Sequence, residues 1–338
     1  NLIIFKSKLL YFQDRAFGQL QVAEQKLLTD AGSNSDLVLG SSGILERYDY
    51  ISTQTGTKHQ FSMSVSDYTL IWFDVLGRKI YKLEDGINAV SDLKGYHAYI
   101  YQNTANEIQK YDNPYINKGV HSTYDYRFNE FYMTFLQEDK QFTLVYSDLF
   151  SGFVGEYTHY PVVYINDKSN IFSVPYTTVA DNVYIHNYGD HGVFYGNPPA
   201  PSKISYVVNP DVSLEKILTN LELSVEAFKS TPGFDEPDFY DFFDTMRIYD
   251  NYQNTDTLTL IPTLARKHKT IWNVSIPSDR VLDVTQPIFN PANLSTVRPP
   301  LTKRLKDKWY VVDFTYNNTD NNKFVVHYSN ALYSINSR

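Results

Sequence analysis

Thr69-Leu-Ile-Trp-Phe-Asp-Val-Leu-Gly-Arg-Lys-Ile-Tyr-Lys-Leu83 is the stretch whose reading decides the fold. It holds two short apolar runs, Leu70–Phe73 and Ile80–Leu83, separated by turn-forming residues from Asp74 to Gly77. Runs this short, rich in aromatic and β-branched residues and bounded by Asp and Gly, read as strands. Upstream, Phe61-Ser-Met63-Ser-Val65 alternates apolar with polar and ends at a Ser66-Asp67 turn; downstream, Asp85-Gly86 turns the chain again. Three antiparallel strands joined by tight turns are predicted, with Asp and Gly where positive φ is needed.

The same unit recurs along the chain. Glu130–Phe135 turns through Gln137–Lys140 into Phe142–Tyr146, and Val162–Ile165 turns through Asn166–Asn170 into Ile171-Phe172. Val183–Ile185 turns through Asn187–His191 into Val193–Tyr195. Short hairpins at this spacing, with an aromatic residue in each strand, suggest β-propeller blades. Before them, residues 1–35 read as a lead-in with a short helix over Asp14–Asp30 (Phe17, Leu20, Val22, Leu27). Asn197-Pro198-Pro199-Ala200-Pro201 reads as an extended linker, because its prolines fix φ and exclude helix.

Beyond the linker the pattern is β again, in Lys203–Val208, Leu221/Leu223/Val225, Leu258/Leu260 and Trp272/Val274/Ile276. Finally Trp309, Val311 and Phe314 are read as facing Phe324, Val326 and Tyr328 across an Asn317–Asn322 turn, with a bulge at Asp313. The expected fold is all-β: propeller-like blades over 36–196, a proline-rich linker over 197–201, and a β-sandwich-like domain over 202–338.

At 338 residues, 42% of them hydrophobic, the chain can bury one large core or two smaller ones. The 15 Gly and 15 Pro are too few for a fibrous or low-complexity protein. A net charge of −8 makes it a poor generic binder of nucleic acid. The absence of Cys excludes disulfides, thiolate zinc sites and Cys nucleophiles. No apolar run approaches the ~20 residues of a membrane helix or suggests a secretory leader. The first residue is Asn1, which suggests a fragment of a longer protein, while a strand pattern running close to Arg338 suggests a natural C-terminus. The 29 Tyr and 21 Phe suit pleated sheets, and Tyr also suits wet protein interfaces.

Several constellations are candidates for chemistry. Phe234-Asp-Glu-Pro-Asp-Phe-Tyr-Asp-Phe-Phe-Asp244 offers Asp235, Glu236, Asp238, Asp241 and Asp244 as a glycosidase carboxylate pair or calcium ligands. It lacks EF-hand spacing, so anchoring by Phe with the acids in water is the expected arrangement. His186, Asp190 and His191 could hold a metal, but Gly189-Asp190 is ordinary turn chemistry. Gly40-Ser-Ser-Gly43 lacks the G-x-S-x-G spacing of a nucleophile elbow. Basic residues gather at Arg266-Lys-His-Lys269 and at Arg298 with Lys303, Arg304, Lys306 and Lys308; solvated loops, diluted by Asp307, are the reading there. Asn273-Val-Ser and Asn293-Leu-Ser are glycosylation sequons only in a secreted eukaryotic protein. No catalytic, cofactor-binding or metal-ligating residue is assigned, and no cofactor is expected.

Taken in order, several phrases resemble the muzzle (stabilisation, tail nozzle) proteins of crAss-like bacteriophages. They are Gly40–Tyr50, Gly56–Ser62, Ser66–Asp74, Arg78–Leu83, Gly189–Gly196, Val207–Pro210 and Arg304–Tyr310. Family members are longer, so the chain resembles their C-terminal portion. The resemblance implies a non-enzymatic virion component, assembled in the bacterial cytoplasm, that forms a ring at the distal end of a short tail around the channel for DNA and cargo. Its implied partners are copies of itself, a hexamer by analogy with other nozzles, the rest of its own longer chain, and neighbouring tail hub and fibre proteins. DNA and cargo would pass without specific binding. The alternatives weighed are a carbohydrate-binding propeller or sandwich module and a glycoside hydrolase.

Overall fold

The computed structural model describes residues 1–22, 26–28, 37–39, 45–105, 108, 112–176, 182–197, 200–231, 234–251, 253–261, 264–276, 281–282 and 304–335. The chain divides into two compact units, Asn1–Tyr188 and Gly189–Arg338.

The first unit is a series of antiparallel meanders. Blade one is Leu2–Phe5, Lys8–Phe12, Phe17–Val22 and Leu45–Ser52; blade two is Ser64–Val65, Leu70–Asp74, Lys79–Leu83 and Ile87–Ala89. Blade three is Gly119–Asp125, Glu130–Leu136, Gln141–Ser147 and Gly152–Tyr157; blade four is Pro161–Asn166, Ile171–Pro175 and Tyr184–Ile185. Within each blade the spatial order of strands is their order in the chain, as hairpin connections require.

The apolar run at 70–73 has a simple cause: both faces of its strand are covered. Leu70 and Trp72 pack toward blade one with Phe5, Leu10, Phe12 and Phe17. Ile71 and Phe73, on the opposite face, pack toward blade three with Val120, Phe131, Met133 and Phe135. Blade three repeats the arrangement, since Tyr132 and Val145 turn the other way onto Ile171 and Tyr164 of blade four. Successive side chains on a strand point to opposite faces, so a blade between two others needs apolar residues at every position. The first strands of blades two, three and four, Ser64–Val65, Gly119–Asp125 and Pro161–Asn166, run beside one another. They are tied by Ser122 Oγ to the Ser62 carbonyl (2.8 Å) and by Asn166 Nδ2 to Thr123 Oγ1 (3.0 Å).

Differences from the sequence reading have physical causes. Where a helix was expected over 14–30, Phe17–Val22 is a strand, paired in register with Lys8–Phe12 and stacked through Phe17 on Phe12 at 4.8 Å. Cross-strand aromatic contact outweighs a weak helical period. The stretch 61–65 begins as a 3-10 turn (Gln60–Ser62) and only Ser64–Val65 is strand. Val193–Tyr195 is not strand. One α-helix, Tyr96–Asn103, and the strand Gly119–Asp125 were not foreseen.

The second unit is sandwich-like. One sheet orders Ser202–Val208, Tyr310–Tyr316, Thr245–Tyr249, Gln253–Asn254 and Val281–Leu282, with Leu258–Thr259 added at Thr245–Tyr249. The other orders Phe234–Asp238, Lys216–Thr231, Ile271–Ser275 and Ala265–His268, and Lys216–Thr231 also pairs with Lys306–Asp307 and Lys323–Ile335. Leu221, Leu223 and Val225 from one sheet meet Met246, Ile248, Val312 and Phe314 from the other in a common core. The segments on either side of the Asn317–Asn322 turn are therefore not hairpin partners. Tyr310–Tyr316 pairs with Ser202–Val208, and Lys323–Ile335 pairs with Lys216–Thr231. The turn carries the chain between layers, and Tyr316 stacks on Phe324 at 4.0 Å. Register runs unbroken through Asp313, opposite Ser205 and Arg247, so no bulge lies there. Among the described residues no helix is long and apolar enough to cross a membrane.

Candidate functional site

The acidic stretch is distributed rather than convergent. Phe234–Asp238 is an edge strand, then Phe242 and Phe243 sink into the sandwich core and pin the segment. Asp235 pairs with Lys323 at 3.1 Å and Asp238 with Lys229 at 3.7 Å, while Glu236 is exposed. Asp241 accepts from Tyr316 Oη (2.5 Å) and Asn322 Nδ2 (3.1 Å), and Asp244 accepts from the Asn317 N–H at 2.6 Å. These two carboxylates brace the interlayer turn. The Tyr316 phenol is held above its ordinary range by burial and by the Asp241 carboxylate. The described carboxylates thus meet a cation or a hydrogen-bond donor of the fold, or water.

His186 lies in the first unit, where Nε2 meets Ser173 Oγ at 2.6 Å; Asp190 and His191 are exposed in the second. Among the described residues no three His, Asp or Glu form a metal-sized group. Of the basic residues, Lys267 donates to the Phe239 carbonyl at 2.5 Å and lies over the Trp272 ring, and Lys306 pairs with Glu215 at 3.1 Å. Arg266, His268, Lys269, Arg304 and Lys308 are exposed. Asn273 sits within a strand, accepting from Asn220 at 3.2 Å. Gly40–Gly43, Asn293, Arg298 and Lys303 lie outside the described residues.

Three histidines that spacing did not single out are inside the blades. His59 is fully buried, its Nε2 at 2.8 Å from the Ile108 carbonyl and its Nδ1 accepting from the Val120 N–H at 3.3 Å. Burial pushes its pKa down. Burial also pushes His121, stacked on Phe61 at 5.3 Å, down to about 4 although the Asp112 carboxylate pulls the other way. His159 is pushed down to about 3 by burial and by neighbouring His186. These imidazoles are neutral packing elements at neutral pH. Val120 before His121 foreshadows its burial, whereas His59, between Lys58 and Gln60, carries no such signal.

The most distinctive exposed feature of the first unit is one end of its blades. Asp148 accepts from Ser66 Oγ (3.1 Å) and Thr69 Oγ1 (3.0 Å), and its own N–H donates to the Asn129 carbonyl at 2.9 Å. Lys168 reaches Asp67 at 3.6 Å and lies over the Tyr126 ring at 5.6 Å. The turns of blades two, three and four are thereby clamped side by side. They present Tyr68 (71% exposed), Phe128 (52%), Leu149 (70%) and Phe150 (76%) to solvent. Large apolar groups held out on braced turns form a surface suited to contacts with protein.

Stacked antiparallel blades, a sandwich-like unit and a braced apolar edge define a β-modular protein of the kind that builds assemblies. The chain belongs to the Crassvirus muzzle protein family: the family's sequence model matches residues 1–177, and the model of the muzzle protein C-terminal domain matches residues 189–279. The matches thus cover both units and are not confined to the C-terminal domain. No curated protein matches the chain. Membership makes it a structural protein of a phage particle, part of the tail assembly.

Proposed function

We propose that the chain forms part of a closed ring, a hexamer, at the distal end of a short tail, around the channel through which DNA and cargo leave, and that it performs no catalysis. The observation that carries this reading is the clamped end bearing Tyr68, Phe128, Leu149 and Phe150, a rigid apolar ledge matched to a protein neighbour. The net charge of −8 fits a conduit that DNA must traverse without adhering. A ring needs heterologous contacts that close, and tyrosine-rich β surfaces supply them. Host-cytoplasmic assembly before incorporation, with tail hub and fibre proteins as neighbours, belongs to the same reading.

The test is electron microscopy of virions labelled with a monovalent binder raised against this chain. Label in a ring at the tail tip is the expected result; label on the capsid or on fibres alone would overturn it. Incubation of the purified chain with host-surface polysaccharide is expected to release no reducing ends.

A further inference from the structure

Among the described residues, the two outer blades each leave one face only partly covered. Every internal junction in the first unit joins the face of one blade to the face of the next, apolar on both sides. Blade one uses Ile3, Phe5, Leu10, Phe12 and Phe17 for that purpose. Its opposite face is fixed by register: Leu2 stands opposite Tyr11, Tyr11 opposite Gly18, and Gly18 opposite Tyr50, while Ile4 stands opposite Leu9. This face is lined by aliphatic and tyrosine side chains, and Leu2 is 63% exposed, Ile4 71%, Tyr48 59% and Tyr50 51%. The rings of Tyr11, Tyr48 and Tyr50 meet edge-on at 5.9–6.4 Å, and a Cβ at Gly18 would stand 2.1 Å from the Asp49 carbonyl oxygen and 2.7 Å from the Tyr11 ring. Gly18 thus gives the Tyr11 ring room to lie flat on the sheet.

Blade four repeats the situation with opposite polarity. Tyr164 and Ile171 turn toward blade three. The other face carries Val163 opposite Val174, Ile165 opposite Phe172, and Phe172 opposite Ile185, and Ile165 is 54% exposed. Hydrophobic residues on both faces of an outer sheet are unexpected unless both are covered, because a sheet with one wet face alternates apolar with polar.

We propose that these two faces dock on each other between copies of the chain: the outer face of blade four in one copy covers the outer face of blade one in the next. Continuity with the internal junctions selects this occupant. Each junction joins the later face of one blade to the earlier face of its successor, and blade four of a second copy offers a later face to blade one. Because each copy carries both halves, the contact is heterologous and continues from copy to copy, closing if the rotation allows. The inference rests on the self-assembly in the reading above and assigns its surface.

The experiment is sedimentation of the 338-residue chain over a wide concentration range, with Ile4→Lys/Tyr48→Lys on one flank and Ile165→Lys on the other. The wild type is expected to self-associate. Each flank variant is expected to need about a hundredfold more protein to do so, since a lysine buried in such a contact costs well over the 1.4 kcal/mol of one tenfold step. An equimolar mixture of the two variants retains one intact pair of faces and is expected to recover dimers and stop there. Circular dichroism checks that the substitutions leave the fold intact. A wild type that stays monomeric assigns these faces to a different polypeptide and overturns the proposal. Assembly indifferent to both variants overturns it too, while leaving the ring reading to stand or fall on virion imaging.

Discussion

Phe17→Ala tests whether face-to-face packing of blades holds the first unit together. The Phe17 ring is fully buried, stacked on Phe12 (4.8 Å, 5° between planes) and edge-on to Trp72 (5.1 Å). Truncating a buried Phe costs about 3–5 kcal/mol, from lost transfer energy and the cavity left behind. Two broken ring pairs, at about 0.5–1.5 kcal/mol each, place this site in the upper part of that range. A loss of about 4 kcal/mol lowers the folding equilibrium constant roughly a thousandfold. With a urea m-value of about 2 kcal/mol per molar, the midpoint falls by about 2 M. Trp72 is the sole tryptophan of residues 1–188, so fluorescence in a Trp272→Phe/Trp309→Phe background reports this unit. Phe17→Leu, which keeps most of the volume, is expected to move the midpoint by less than half as much. A shift below about 0.5 M for the alanine variant would refute the claim that this junction is a close-packed core.

Stability of the first unit is expected to fall on acidification. His121 has a folded pKa near 4, below the ~6.5 of an unfolded chain, so the unfolded state takes up its proton first. Its contribution is complete above about pH 6.5 and declines as pH falls toward 4, a loss of about 2 kcal/mol by pH 5; denaturation at pH 7.5 and 5, with His121→Gln narrowing the difference by about that amount while buried His59 and His159 supply the rest, checks it. Lys216 is fully buried and donates to the carbonyls of Asp211, Leu214 (2.8 Å) and Lys308 (2.6 Å). Lys216→Met strands those acceptors and is expected to cost the sandwich-like unit about 2–4 kcal/mol by denaturant titration. Asp241→Ala removes the acceptor of Tyr316 and Asn322 and should lower stability by about 1–3 kcal/mol. Asp238→Ala, at a partly exposed ion pair, should change it by less than about 0.5 kcal/mol; equal effects in a melt would contradict the distinction drawn between them.

Local chemistry made much of the architecture legible. Asp, Asn and Gly between short aromatic runs placed the turns, and Lys79–Leu83 and Ser202–Val208 lie where alternation put them. The unbroken apolar run at 70–73 required cover on both faces, which the stacked blades supply. The anchoring of the acidic stretch was legible, since Phe242 and Phe243 had to be buried, but not that Asp241 and Asp244 would brace the interlayer turn instead of facing water. What sequence could not fix was any choice among distant partners. A strand pattern states which residues share a face, but not which of several similar strands lies beside it. Hence Lys323–Ile335 pairs with Lys216–Thr231 rather than with its neighbour in sequence. The weak period at 14–30 likewise yielded to Phe17 meeting Phe12 and Trp72. The clamped turn end was invisible for the same reason: Asp148 joins Ser66 and Thr69 across about eighty residues, a contact that only the stacking of blades creates. Pairing and stacking energies depend on groups far apart in the chain, so tertiary packing decided them.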